Sequence, residues 1–321
     1  MIALTAGMYT ARLNILIPGA ITVGVGLLLF GSLLADNLLR ASSLPVVGAY
    51  GWAALVALLF LALLGVTLAI NENAGILPDH GAVALAHLVL GGFGFMGLLV
   101  IGFSHVLVPM FALASAPPKR ISFMNFAIAV IAIALGTLGA LIGSREVLAT
   151  ATLIGLFAAA MHLWLMFRVL KTGMRKRLGL SFVLVRAAWI MLPATLLIGL
   201  AALYGFAGAN GPTLFGFMLL FGWLLTFLFA ILQRIMPFLA SMFLPPPARG
   251  GTAIVAELSG APALRLHAIC HALALVVLAI AITLDNAIVG RAGAAIGLAG
   301  ALAFAWFATD IIRRLLLAKQ A

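Results

Sequence analysis

Two histidines on one long apolar segment are the residues best suited to chemistry in this sequence. His87 precedes a glycine-rich stretch, and His105 lies eighteen residues later, within the run from Gly102 to Phe111. Eighteen residues make five turns of an α-helix, so the two imidazoles would point the same way, about 27 Å apart. Ionisable side chains inside a membrane are costly and usually functional. The spacing predicts one imidazole near each membrane face.

The glycines after His87 allow two interpretations. They are Gly91, Gly92, Gly94 and Gly97. Glycines in a membrane helix usually permit close helix packing. They would also leave room for a flat macrocycle, and a neighbouring histidine is what an axial haem ligand requires. We predict that His87 is a haem ligand, with close helix packing as the alternative.

A second pair of histidines brackets the only cysteine. His267 and His271 flank Cys270 and fall on one helix face, one turn apart. This spacing suits two ligands of one metal ion. It equally suits a water-exposed helix end after Arg265. A single cysteine excludes a disulfide framework within the chain.

The other polar candidates lie near predicted span ends. His80 is predicted to be an interfacial residue at the outer end of the span that carries His87, and His162 is either interfacial or a ligand. Arg234 would pair with a haem propionate, or its side chain would extend to the interface. The candidate ligands of haem iron or another metal such as copper are His87, His105, His162, His267 and His271. We expect the last four to converge partly, with His267 or His271 as the partner of His105.

The composition predicts an all-α, polytopic membrane protein. Of 321 residues, 65% are hydrophobic and 8% are charged, and the mean hydropathy is +1.29. No soluble domain hides so much apolar surface. The formal charge of +11 comes mostly from short loops, which indicates membrane topology and anionic lipid rather than nucleic acid. The apolar runs predict about nine spans, roughly 13–35, 46–70, 81–112, 121–143, 147–170, 182–206, 212–240, 263–284 and 288–312.

The charges of alternate loops predict the orientation. The positive-inside rule places the N-terminus outside and the C-terminus in the cytoplasm, which suits a bacterial inner membrane. The loops predicted to lie outside hold only three basic residues, Arg12, Arg145 and Arg291, together with the acidic Glu72 and Asp79. The predicted cytoplasmic basic residues are Arg40, Lys119, Arg120, Lys171, Arg175, Lys176, Arg177, Arg186, Arg249, Arg265, Arg313, Arg314 and Lys319.

An internal similarity occurs at an offset of 128 residues. The segment from Gly94 to Ala112 matches that from Gly222 to Ala240, with Pro109 opposite Pro237 and His105 opposite Gln233. These segments belong to the third and seventh spans, which run in the same direction. The similarity predicts parallel repeats of four helices, around 13–143 and 147–284, within one membrane domain covering 1–321.

The segments around His87, His105 and Gln233 resemble proteins related to subunit I of haem–copper oxidases. The resemblance is closest to the short oxidase subunit I-like proteins and to the NnrS haem–copper membrane proteins. It covers about a fifth of the chain and implies that His87 ligates a low-spin haem near the outer face. It also implies haem b and a role in respiratory electron transfer, nitric oxide handling or a respiratory complex.

Several features of this sequence differ from that family and limit the functions that the resemblance can imply. Complete oxidase subunits have about twelve spans and a copper site with a histidine beside a tyrosine, plus two adjacent histidines. The tyrosines here are Tyr9, Tyr50 and Tyr204, and none is beside a histidine. Oxygen reduction is therefore not supported, and we assign no catalytic residue. Expected partners are the lipid bilayer, a redox partner or complex subunits, and a further copy of the chain.

The alternative is a non-catalytic permease or structural subunit with interfacial histidines. Ion-coupled carriers generally hold a carboxylate near the membrane midplane, and all the acidic residues here fall near predicted span ends. They are Asp36, Glu72, Asp79, Glu146, Glu257, Asp285 and Asp310.

Overall fold

The chain is an all-α, multi-pass membrane protein. A computed structural model describes residues 2–41, 43–175, 178–243 and 261–318. Nine helical segments in these ranges are long and apolar enough to cross a membrane, as the sequence predicts. Five charged residues used in the sequence arguments lie outside the described residues: Lys176, Arg177, Arg249, Glu257 and Lys319.

The helices follow one another with short connections. We number them α1 (Ile2–Thr10), α2 (Leu13–Arg40), α3 (Pro45–Ala74), α4 (His80–Val89), α5 (Leu98–Ala112), α6 (Lys119–Leu141), α7 (Arg145–Thr172), α8 (Leu180–Leu203), α9 (Gly211–Phe217), α10 (Thr226–Phe243), α11 (Ala261–Leu284) and α12 (Ala287–Ala318). Two π-helical segments, π1 (Leu90–Gly97) and π2 (Met218–Leu225), join α4 to α5 and α9 to α10.

Local sequence signals set several helix boundaries. The carboxylate of Asp79 accepts a hydrogen bond from the Ala82 amide at 2.9 Å and caps α4. The hydroxyl of Ser144 caps α7 in the same way, from the Val147 amide at 3.3 Å. At the other end of α3, Gly75 has a positive φ of 56° and stops the helix. These caps place the turns between spans close to the predicted positions.

The two π-helical segments occupy corresponding positions in the two longest spans. Each has eight residues, and π2 begins 128 residues after π1. The spans that contain them, His80–Ala112 and Gly211–Phe243, both have 33 residues. The offset is the one found in the sequence comparison. π-Helical turns are uncommon and often occur at functional sites.

The helices form two compact units, Met1–Lys176 and Arg177–Ala321. The core of unit 1 packs α3, π1 and α5 around Tyr50, Ala54, Leu58 and Leu98. The core of unit 2 includes Phe307 and Ile311 with three residues of α10 and α11. Large apolar side chains such as Leu63, Phe157 and Leu298 are more than half exposed, which is the pattern of a lipid-facing surface. The predicted repeat boundaries, 13–143 and 147–284, remain a prediction.

Candidate functional site

His87 lies on α4 against α3. A Cβ atom added to Gly65 would come within 2.9 Å of the His87 Cε1 atom, so the ring packs on the backbone of α3. Its Nδ1 atom is buried and has no hydrogen-bond partner among the described residues. The imidazole is half-buried. A role for His87 as a haem ligand remains a prediction.

Two of the glycines after His87 are used in helix packing. A Cβ on Gly94 would lie 2.8 Å from the Ala57 Cβ, and one on Gly91 would lie 3.1 Å from the Leu61 Cδ1. Side chains of α3 therefore fill the space beside these glycines, as close packing of membrane helices requires. At these two positions the structure agrees with the packing interpretation rather than with room for a macrocycle.

His105 lies in a buried polar cluster of unit 1. Its ring stacks on Tyr50 of α3, with centroids 5.5 Å apart and an interplanar angle of 29°. The ring of His162 from α7 lies 5.7 Å from the His105 ring. His162 is 1% exposed, so it is a core residue and not an interfacial one. Both His87 and His105 contact α3, in agreement with their predicted common direction.

A chain of hydrogen bonds supports this cluster. The Tyr50 hydroxyl donates to the Asn125 Oδ1 atom at 2.8 Å. The Asn125 Nδ2 atom donates to the Ala158 carbonyl at 2.7 Å, one helical turn before His162. The three bonded residues belong to α3, α6 and α7. They therefore hold the helices that carry the rings facing His105.

The hydrogen bonding of His105 determines which nitrogen is available. Its Nδ1 atom lies 2.9 Å from the Ile101 carbonyl oxygen. A carbonyl only accepts, so Nδ1 carries the proton of the neutral ring and Nε2 carries the lone pair. This Nε2 atom is buried without a hydrogen-bond partner in the described part of the chain. A histidine that ligates a metal is usually held in this way.

Unit 2 contains a second buried histidine pair. His267 and His271 of α11 stack with centroids 5.6 Å apart and an interplanar angle of 19°. The edge of Phe229 contacts both rings, at 4.6 Å and 5.7 Å. Phe304 of α12 lies 5.2 Å from His267. The two histidines are 1% and 8% exposed, so they do not form a water-exposed helix end.

The tautomers of this pair also follow from their contacts. The Nδ1 atom of His267 donates to the Gly300 carbonyl at 3.0 Å, and its Nε2 atom is buried without a partner among the described residues. The Thr226 hydroxyl donates its one proton to the Phe221 carbonyl. It therefore accepts from the His271 Nε2 atom, at 2.7 Å. Among the described residues, these contacts leave unused the lone pair on Nε2 of His267 and the lone pair on Nδ1 of His271.

In the internal sequence alignment, Gln233 of unit 2 corresponds to His105 of unit 1. It is 3% exposed, and both polar atoms of its amide are buried without hydrogen-bond partners in the described ranges. The next residue, Arg234, is half-buried. Buried amides without partners are rare because each one loses its bonds to water.

Each pair offers fewer side chains than a bare metal site requires. The described residues contain no group of three or more His, Cys, Asp or Glu side chains placed to hold a metal ion. A tetrahedral zinc site needs four ligands or three and a water. Haem iron takes four nitrogens from its macrocycle and needs only one or two from the protein. The exposed His80 instead contacts Asn71 and Glu72.

The structure thus pairs His105 with His162 in unit 1 and His267 with His271 in unit 2. The predicted pairing of His105 with His267 or His271 remains a prediction. Sequence reasoning missed Tyr50, Asn125 and Thr226. A lone amide inside the apolar run 121–143 was the available signal for Asn125. No protein-family model, curated protein or solved structure matches the chain.

Proposed function

We propose that this integral membrane protein binds b-type haem through buried neutral histidines. The proposal rests on one observation, which is that the ring nitrogens of His105 and His267 have the same hydrogen-bonding pattern. In each ring Nδ1 donates to a backbone carbonyl, and Nε2 keeps a buried lone pair without a partner among the described residues. An unpaired buried nitrogen costs about 1–3 kcal/mol, and coordination to iron would recover this cost.

Electrostatics favours haem over a bare divalent ion at these positions. Burying an isolated charge is very costly unless it is paired, and the acidic residues within the described ranges are exposed or half-buried. The macrocycle carries two negative charges at its centre, so bound haem iron adds little net charge. His87 and His271 are further candidate ligands, Arg234 would pair with a propionate, and copper is a weaker candidate.

The resemblance to relatives of oxidase subunit I supports the same proposal. We also propose a location in the bacterial inner membrane, with an outside N-terminus and a cytoplasmic C-terminus, from the charges of the loops. Its haem would transfer electrons, bind a gas such as nitric oxide, or serve a respiratory complex.

The second candidate function is a permease or a structural subunit. The observation that favours it is the close packing of α3 against Gly91 and Gly94, which leaves those glycines without space for a ligand. Under this function the protein would contain no haem, and the histidines would only join helices.

A spectrum of the purified protein distinguishes the two functions. We expect a Soret band, an α-band on reduction, and extractable haem b. The double variant His105→Ala/His267→Ala should lose most of this haem, while the control His80→Ala, at the exposed end of α4, should keep it. Wild-type protein that stays colourless after expression in haem-sufficient cells and after incubation with hemin would rule out the haem proposal.

A further inference from the structure

One buried hydrogen bond occurs in both units at corresponding positions. In unit 1, Asn125 is the seventh residue of α6 and donates to the carbonyl of Ala158, the fourteenth residue of α7. In unit 2, His267 is the seventh residue of α11 and donates to the carbonyl of Gly300, the fourteenth residue of α12. Donor and acceptor are 33 residues apart in both cases. We call this bond the helix brace.

The donor atoms of the two braces occupy the same place in their side chains. The Asn125 Nδ2 atom and the His267 Nδ1 atom are each bonded directly to Cγ. A histidine in the tautomer seen here can therefore make the bond that an asparagine makes, without a change in backbone position. Close approach of the helices also matters in unit 2, since a Cβ on Gly300 would lie 3.0 Å from the Cys270 Cβ.

The remaining polar atoms of the two donors differ. The Asn125 Oδ1 atom accepts the Tyr50 hydroxyl, so every bond of that side chain serves to join helices. The His267 Nε2 atom has no such role, because it is buried without a hydrogen-bond partner in the described part of the chain.

Asn125 and His267 therefore differ in one nitrogen atom, the Nε2 atom of His267, which takes no part in the brace. Asn125 has no polar atom left over after the brace and the bond from Tyr50, whereas His267 keeps a lone pair on Nε2 that no described residue uses. An asparagine suffices for the brace, and a leftover buried nitrogen lowers stability. The brace alone therefore does not account for an imidazole at this position.

We infer that His267 has two roles on its two nitrogens, bracing α11 against α12 through Nδ1 and binding a ligand through Nε2. In unit 1 these roles are divided between Asn125, which braces α6 against α7, and His105, which presents the free Nε2 atom. The bracing role stands by itself. The ligand role rests on the proposed haem function, with haem iron as the ligand.

Two substitutions at His267 separate the roles. His267→Asn keeps a donor bonded to Cγ and removes Nε2, whereas His267→Ala removes both nitrogens. Asn125→Ala is the matched control, because it removes the brace of unit 1 and leaves unit 2 unchanged. The thermal unfolding midpoint is measured on haem-free protein from haem-deficient cells, so that loss of a bound ligand does not affect it. Haem content and the reduced spectrum are measured on protein from haem-sufficient cells.

We expect haem-free His267→Asn to unfold close to the wild-type temperature, and His267→Ala and Asn125→Ala to unfold about 2–6 °C lower. We expect both His267 variants to lose the same haem signal, and Asn125→Ala to keep it. A midpoint for His267→Asn as low as that of His267→Ala would overturn the bracing role. Retention of the full haem signal by His267→Asn would overturn the ligand role. If the wild-type protein contains no haem, the proposed function and the ligand role fail together, and the midpoints still decide the bracing role.

Discussion

Units 1 and 2 each contain a π-helical segment and a helix pair joined by a brace, but they place their histidines on different helices. In unit 1 the pair joins α5 to α7 through His105 and His162, whereas in unit 2 both members lie on α11. At the offset of 128 residues, Gln233 corresponds to His105. Phe304 is the eighteenth residue of α12, as His162 is of α7. The braces and π-helical segments nevertheless correspond. The comparison teaches that the same contact between helices occurs with the imidazoles on different helices.

The largest expected effect is the separate loss of haem from each unit. Because His105 in unit 1 and His267 in unit 2 each have a buried Nε2 atom without a partner among the described residues, His105→Ala and His267→Ala should each remove a different part of the reduced spectrum. His87→Ala should remove a low-spin signal if the outer site is also occupied, and the protein should still insert. Haem-to-protein ratios and low-temperature spectra measure these losses. Identical spectra for the two single variants would show that the units do not bind haem independently.

Corresponding glycines should respond differently to an added methyl group. In unit 1, a Cβ on Gly94 would lie 2.8 Å from the Ala57 Cβ, which cannot move away without shifting α3. In unit 2, a Cβ on Gly222 would meet only the flexible Met218 side chain, at 3.2 Å or more. Gly94→Ala should therefore destabilise by about 1–3 kcal/mol. Gly222→Ala should be nearly neutral, and unfolding midpoints of both variants in detergent test the difference.

Removing one hydroxyl from each polar cluster should have similar, smaller effects. Tyr50→Phe leaves the Asn125 Oδ1 atom without its donor, and Thr226→Val leaves the His271 Nε2–H group without its acceptor. Each loss should cost about 1–3 kcal/mol, because the remaining group is buried. Tyr9→Phe, at a side chain that is 91% exposed, is the control and should unfold like the wild type. A neutral result for Tyr50→Phe alone would indicate that only unit 2 depends on its polar contacts.

Single cysteine substitutions at exposed positions should perturb the protein least, and they test whether the two units have the same orientation. Cysteines replacing Ile76, after α3, and Phe206, after α8, should both react with an impermeant thiol reagent added from outside, in a Cys270→Ser background. A cysteine at Met174, which is 77% exposed, should react only after the cells are opened. The reason is the excess of basic residues in the loops around Met174. Opposite labelling of the Ile76 and Phe206 positions would exclude a parallel arrangement of the units.

The positions of the helices could be predicted from the sequence because they depend on local composition. Apolar runs of about twenty residues must form helices in a membrane, since every backbone polar group needs an internal partner. The predicted spans 121–143 and 263–284 thus agree with α6 and α11 within a few residues. The offset of 128 residues also identified the two spans that contain π1 and π2, although nothing in the sequence indicated their π-helical geometry.

The sequence determined the membrane class, the nine spans and the depth of each histidine along its helix, because these depend on hydropathy and on residue spacing. Only the tertiary structure decided which groups meet. It placed Tyr50 and His162 beside His105, and it joined His267 to Gly300, 33 residues away. It also filled the space beside Gly94 with Ala57. Such contacts depend on which helices are neighbours and on their rotation, and in an apolar bundle these follow from side-chain packing between distant segments rather than from the local sequence.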